Sequence, residues 1–212
     1  MNAPLNHFDR GKPFYPLVMS YVIQLLGFKE LAVRGFMGPR DIRREDLQMV
    51  KHVQFNTTDQ AAITSDLEIL RKLSGPLELR SEFQGDRIIV DADNIAQELS
   101  GADHEYILSF YIRAAGSIII LAHEVTKDAP YRDTGSLWEF LRHCRNAATH
   151  NGLFHFNHGE PRRPAEWGQF RIETGLQGTP LFKDATGQGL LSPGDPIRLL
   201  WDIEQAYPAM QV

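Results

Sequence analysis

Cysteine is nearly absent: Cys144 is the single one in 212 residues. One thiol cannot build an internal disulfide framework or a cysteine-rich zinc site, and it fits a reducing compartment. Long hydrophobic runs are lacking as well. The most apolar stretch, Tyr106 to Ala122, is interrupted by Arg113 and closed by His123 and Glu124, short of the roughly 20 apolar residues that a membrane span requires. The first twelve residues carry Asp9, Arg10 and Lys12 and do not follow the basic-then-apolar order of a secretion signal. These features predict a cytoplasmic protein with no membrane partner. Neither common Gly-rich phosphate loop occurs, which argues against an NTPase or a dinucleotide enzyme. Positive charge is also short: 22 Lys and Arg stand against 27 Asp and Glu, a formal charge of −5, so any nucleic-acid site must be a local patch.

The remaining composition, 42% hydrophobic and 23% charged, is that of an ordinary folded protein rather than a disordered or fibrous one. Hydrophobic spacing predicts mostly helices. Pro13 and Pro16 open a segment in which Leu17, Tyr21 and Leu25 fall four apart beside Val18 and Val22, and Gly27, Gly35, Gly38 and Pro39 are expected to break it. Leu47, Val50 and Val53 mark helical spacing over about 43–55. Thr57 with Gln60 forms a capping-box pattern for a helix through Ile63, Leu67, Leu70 and Leu73. Leu77, Leu79 and Phe83 alternate, Gly85 and Asp86 supply a turn, and Ile88 to Val90 is β-branched, which predicts a small hairpin.

Asp103 to Lys127 is expected to be the longest helix. Its polar positions Glu105, Ser109, Arg113 and Ser117 lie four apart on an otherwise apolar cylinder, the pattern of a central helix surrounded by others in a bundle. Ser136 with Glu139 makes another capping-box pattern. It opens a helix over about 136–151 whose apolar face is Leu137, Phe140, Leu141, Cys144 and Ala148, ended by Asn151 and Gly152. A Gly/Pro-rich tail over about 157–194 follows, with short strands near Trp167 to Ile172 and Leu181 to Lys183, and Asp195 starts a final helix through about Gln205. The expectation is therefore a mainly α fold: one domain over 1–212, an up-and-down helical bundle with a small β element.

The chemistry-bearing run is Arg142-His143-Cys144-Arg145-Asn146-Ala147-Ala148-Thr149-His150. Arg142, Asn146 and His150 fall at successive i, i+4 positions, with Arg145 and Thr149 on the adjoining row. Between Arg142 and Arg163 there are four Arg against one acidic residue, Glu160, and four His at 143, 150, 155 and 158. That local cation excess on an acidic chain suits a confined anion site. Metal-free RNA cleavage needs a group that moves protons at the 2′-hydroxyl or the 5′-oxygen, and cationic donors for the phosphate. An imidazole in the last turn of a helix, as at His150, is suited to the first task. The guanidinium of Arg145 is suited to the second. Asn146 could either donate to phosphate or fix the His150 ring.

Arg145-Asn146-Ala147-Ala148-Thr149-His150 resembles the Arg-Asn-x-x-x-His signature of HEPN domains, a family of helical bundles that includes metal-independent endoribonucleases of toxin, defence and RNA-processing systems. The resemblance covers about Leu137 to Gly152. It implies an α-helical bundle acting on RNA as a homodimer, with facing motifs and Arg145 and His150 as the site; a toxin or antiviral effector, with a cognate antitoxin as a further partner, is the setting it suggests. Arg142, Thr149 and the exposed pair Arg162 and Arg163 are the expected substrate contacts. Members of this family also bind or scaffold without cutting, so a non-catalytic module binding RNA, a nucleotide or a protein is the alternative. An Arg and a His five apart on a helix are commonly no more than a solvated face, and a structural helical protein is the third reading. No cofactor or metal is expected: His150, His155 and His158 lack a Cys or carboxylate at a recognised spacing and read as solvated loop histidines. Cys144, on the apolar face, reads as a small core residue rather than a nucleophile.

Overall fold

Five α-helices and two short β-hairpins make up the regular structure among the described residues, so the fold is mainly α. The computed structural model describes residues 8, 11–37, 77–80, 87–90 and 92–210. The helices expected over 43–55 and 57–73, with Thr57 and Gln60, lie outside them. In chain order the elements are α1 (Tyr15–Met37), β1 (Leu77–Arg80), β2 (Arg87–Val90), α2 (Ala92–Ser100), α3 (His104–Thr126), α4 (Ser136–Thr149), β3 (Glu166–Trp167), β4 (Phe170–Arg171) and α5 (Asp195–Ala206). The chain divides into two compact units, Met1–His7 with Leu26–Ala102 and Phe8–Leu25 with Asp103–Val212.

In the first unit β1 and β2 pair antiparallel, Leu77 opposite Val90 and Leu79 opposite Ile88. This is the small β element that the alternation predicted. Helix α1 runs on through Gly27 and Gly35, where a break was expected. A glycine inside a helix costs only about 1 kcal/mol, and Phe28 to Ala32 supply no Pro to stop the propagation.

The second unit contains the motif. Val18, Tyr21 and Val22 are the buried stripe of α1, with Phe14 buried just before it, and the Tyr21 hydroxyl donates to the Pro193 carbonyl at 2.6 Å. Helix α3 is capped by Asp103, whose carboxylate accepts from the Tyr106 N–H at 2.7 Å. It folds back as an αα-hairpin onto α4, closely enough that a Cβ on Gly116 would meet the Ala148 methyl at 3.7 Å. It is not enclosed all round. Its buried residues are Ala115, Ile118, Ile119, Ala122 and Thr126, whereas Tyr106, Phe110, Leu121 and Val125 are exposed. Those four lie within an arc of about 100°, which the sequence pattern read as covered by neighbours. At 23 residues with a mean hydropathy of 1.4, α3 is also long and apolar enough by composition to cross a membrane, despite the interruption at Arg113. A packed core helix meets the same test.

Helix α4 starts at Ser136 with Gly135 as its N-cap and no side-chain cap. The Ser136/Glu139 capping box does not form, because the N-cap is Gly135 and Ser136 is already the first helical residue; Glu139 is instead ion-paired with Arg142 and Arg163. The helix ends as expected, with Asn151 at φ 57° and Gly152 at φ 76° reversing the chain. The Gly/Pro-rich tail is then a working part of the core: Ala165, Trp167, Ile172, Leu181, Phe182 and Leu191 are all buried. β3 pairs with β4 around Gly168, Trp167 stacks on Phe170 and meets Phe140 of α4, and its indole N–H donates to Asp202 of α5 at 2.8 Å.

Candidate functional site

The reversal at Asn151 and Gly152 brings the chain after α4 alongside residues 178–181. Phe154 N–H donates to the Thr179 carbonyl, Gly178 N–H to the Phe154 carbonyl and Leu181 N–H to the Gly152 carbonyl, at 2.7–2.9 Å. That pairing sets Gln177 beside His155 and both beside the end of α4. The result is an open cleft of about 430 Å³ lined by His150, Asn151, Leu153, Phe154, His155, Gln177 and Gly178. Both imidazoles are exposed. Their ring centroids are 5.3 Å apart.

The His150 N–H donates to the Asn146 and Ala147 carbonyls, so the residue is the C-cap of α4. A cation there faces the negative end of the helix dipole, worth about 0.3–1 kcal/mol at an exposed position. Gln177 is held from the other side: its Oε1 accepts the Phe156 N–H at 2.8 Å, which leaves its amide N–H to meet His155 Nδ1 at 3.5 Å.

The Arg142 and Arg145 guanidiniums both have carboxylate partners, although Arg145 Nε is buried without one. Arg145 Nη2 donates to Glu124 of α3 at 2.9 Å and its Nη1 to Asn146 Oδ1 at 3.4 Å. Hydrogen bonds from Lys127 first, and Arg145 second, hold the Glu124 carboxyl down at about 2. Arg142 donates to Glu139 at 2.9 and 3.1 Å and to Glu160 at 3.2 Å, and its Nη2 lies 2.9 Å from His143 Nε2. The cation excess read along the chain from Arg142 to Arg163 is thus met in space by Glu124 and Glu139, which lie outside that window. Arg142 is a buttress tying α4 to the Glu160 loop rather than a free phosphate clamp. Arg163, although largely exposed, stands 3.5 Å from Glu139, and Arg162 is exposed. The Thr149 hydroxyl is spent on the Arg145 and Asn146 carbonyls. Asn146 turns its side-chain oxygen to Arg145.

Cys144 is fully buried, and burial pushes its thiol well up, so it packs as a core residue and is not a nucleophile. Among the described residues no three His, Cys, Asp or Glu side chains gather as a metal site. His150, His155 and His158 are therefore not one cluster.

His143, which the sequence sets among exposed cations, is buried and edge-on to Phe156. Burial first, then the Arg142 charge, holds its imidazole below the ordinary value. Burial, with Arg132 and Arg145, does the same for His123. A depressed histidine favours the neutral fold. Its stabilisation is complete above about pH 6.5, the unfolded value, and is lost as pH falls toward the folded value, because the unfolded chain then binds the proton more readily. The midpoint of thermal unfolding is expected to drop as pH falls below about 6.5. His143→Gln, which keeps an acceptor for Arg142 but does not titrate, should flatten that drop, and an unchanged slope in the variant would assign it elsewhere.

Taken together, the fold and the site define a mainly helical protein with an imidazole-lined cleft at the end of one core helix. No protein-family model, no curated protein and no solved structure matches the chain.

Proposed function

We propose that this chain is a HEPN-type, metal-independent endoribonuclease. The observation that carries the reading is His150: an exposed imidazole at the C-cap of α4, standing on an open cleft, in the sequence setting of the Arg-Asn-x-x-x-His signature. In the reaction the 2′-oxygen of RNA forms a bond to the adjacent phosphorus while the bond from phosphorus to the 5′-oxygen breaks. One base takes the 2′ proton and one acid gives a proton to the leaving oxygen, so the products are a 2′,3′-cyclic phosphate and a 5′-hydroxyl. His150 is the proton carrier. Arg145, oriented by Glu124 and Asn146, supplies positive charge at the helix end.

Separate acid and base are best provided by two copies of His150, which favours a homodimer acting on RNA in the cytoplasm. The exposed stripe of Tyr106, Phe110, Leu121 and Val125 on α3 gives such a pair an apolar face. A toxin or antiviral effector held by a cognate antitoxin fits the same chemistry. A second reading, a non-catalytic helical module binding RNA, a nucleotide or a protein, is favoured by one specific observation: Arg142 and Arg145 already have carboxylate partners.

The test is RNA degradation in EDTA. Cleavage is expected to persist without divalent ions, to leave cyclic phosphate ends and to decline with salt, since the contacts to the RNA backbone are screened. Replacing both Arg162 and Arg163 with Ala should weaken RNA binding and flatten the salt dependence. Cleavage that stops in EDTA and returns with a divalent ion overturns the mechanism, and folded protein that binds RNA without cutting it selects the second reading.

A further inference from the structure

We propose that His155, set by Gln177, is the phosphate-contacting donor of the cleft. This rests on the reading of the cleft as a phosphodiester site, and it assigns a role to two residues outside the Arg145 to His150 motif.

Two observations lead to it. First, the two cations that α4 offers to the phosphate are already held by carboxylates: Arg142 by Glu139 and Glu160, Arg145 by Glu124. A phosphate oxygen entering beside His150 therefore needs another donor. Second, a directional chain of hydrogen bonds ends in the cleft. The Phe156 backbone N–H can only donate, so the Gln177 atom receiving it at 2.8 Å is the amide oxygen. The amide nitrogen is then the group that faces His155 Nδ1 at 3.5 Å. An amide N–H can only donate too, so Nδ1 must accept. A neutral imidazole that accepts at Nδ1 carries its proton on Nε2.

The backbone of Phe156 thereby biases a side chain one residue away toward its Nε2–H tautomer. His155 presents an N–H donor whose ring lies 5.3 Å from the His150 ring, the separation at which one phosphodiester can meet both. The division of labour follows. His150, at the helix end, moves protons, and His155 holds a non-bridging phosphate oxygen by a donor that does not depend on being charged. Gln177 is a positioning residue and touches no substrate.

The experiment combines binding with histidine side-chain NMR on the full chain, using a 2′-O-methyl hexanucleotide that cannot undergo cleavage. Three results are expected. In the free protein at alkaline pH the His155 nitrogen shifts should report the Nε2–H form. Adding the hexanucleotide should shift both His150 and His155. His155→Ala, with unchanged thermal unfolding, should weaken hexanucleotide binding about tenfold, equivalent to about 1.4 kcal/mol.

Gln177→Glu supplies the readout that a purely structural role would not move. A carboxylate accepts from Nδ1–H, so the neutral ring loses its Nε2 donor and can donate there only as imidazolium. The variant should bind like the wild type near pH 5.5 and lose affinity toward pH 8, whereas the wild-type contact through His155 persists. The proposal is overturned if RNA is cut and the hexanucleotide bound with His155→Ala unchanged, or if only His150 shifts; the ribonuclease reading survives both results. If the hexanucleotide shifts both rings but no RNA is cut, His155 keeps its role and the ribonuclease reading fails. If the hexanucleotide shifts neither ring, both fail.

Discussion

Replacing His150 with Ala is expected to lower RNA cleavage by about 10²–10⁴-fold, the range lost with a general acid or base, with little change in stability. His150 is exposed and contributes to the fold chiefly through its backbone N–H, which caps α4. Exposed substitutions of this kind ordinarily shift stability by about 0.5 kcal/mol or less. The measurement is single-turnover cleavage in EDTA beside a thermal melt. A folded His150→Ala protein with full activity removes the proposed catalysis. Arg145→Ala should also abolish cleavage, but it frees Glu124, so it does not separate charge at the phosphate from support of the α3–α4 contact. His150 is the cleaner probe.

Gly189→Ala is expected to destabilise the second unit by about 3 kcal/mol, the sum of a backbone forced into a glycine-only region and of steric overlap. Gly189 has φ 136°, and a Cβ there would fall on the backbone of Phe182 and Lys183. Backbone cannot move aside as a long side chain can. The hydrogen bonds that turn the chain, Lys183 N–H to Leu191 and Leu191 N–H to Leu181, lie next to it. For a protein of this size the melting midpoint should fall by about 10 °C. The same loop continues into the 178–181 segment that seats Gln177 against His155, so the cleft should loosen before the helices melt. Hydrogen exchange at Gly178 and Leu181 reads that directly, and a Gly189→Ala protein as stable as the wild type would show that the loop has another conformation open to it.

The charge network explains why cations counted along a sequence overstate an anion site. Arg142 and Arg145 lie on α4, but their partners come from three places: Glu124 from α3, Glu139 from the preceding turn of α4 and Glu160 from the loop after it. A half-buried guanidinium recruits whichever carboxylate the fold brings within about 4 Å. The buried neutral His143 at its side is a consequence of the same packing.

Several features were legible because they are local. The helical spacing of Leu17, Tyr21 and Leu25, the end of α4 at Asn151 and Gly152, the hairpin around Ile88 to Val90 and the start of the last helix at Asp195 each follow from a few neighbouring residues. So does the burial of Cys144 opposite the polar row of Arg145 and Thr149. By itself the sequence determined a mainly α protein with a polar helix end carrying Arg145, Asn146 and His150. Tertiary structure decided the rest. It alone set Glu124 against Arg145, buried His143, placed the start of α4 one residue past its N-cap Gly135, left Tyr106, Phe110, Leu121 and Val125 exposed, and folded the Gly/Pro-rich tail into the core. It also brought Gln177 to His155 across 22 residues of chain. Helix periodicity and turn chemistry act over a few residues, whereas ion pairs, burial and the approach of a distant amide to an imidazole depend on groups that meet only once the chain has packed.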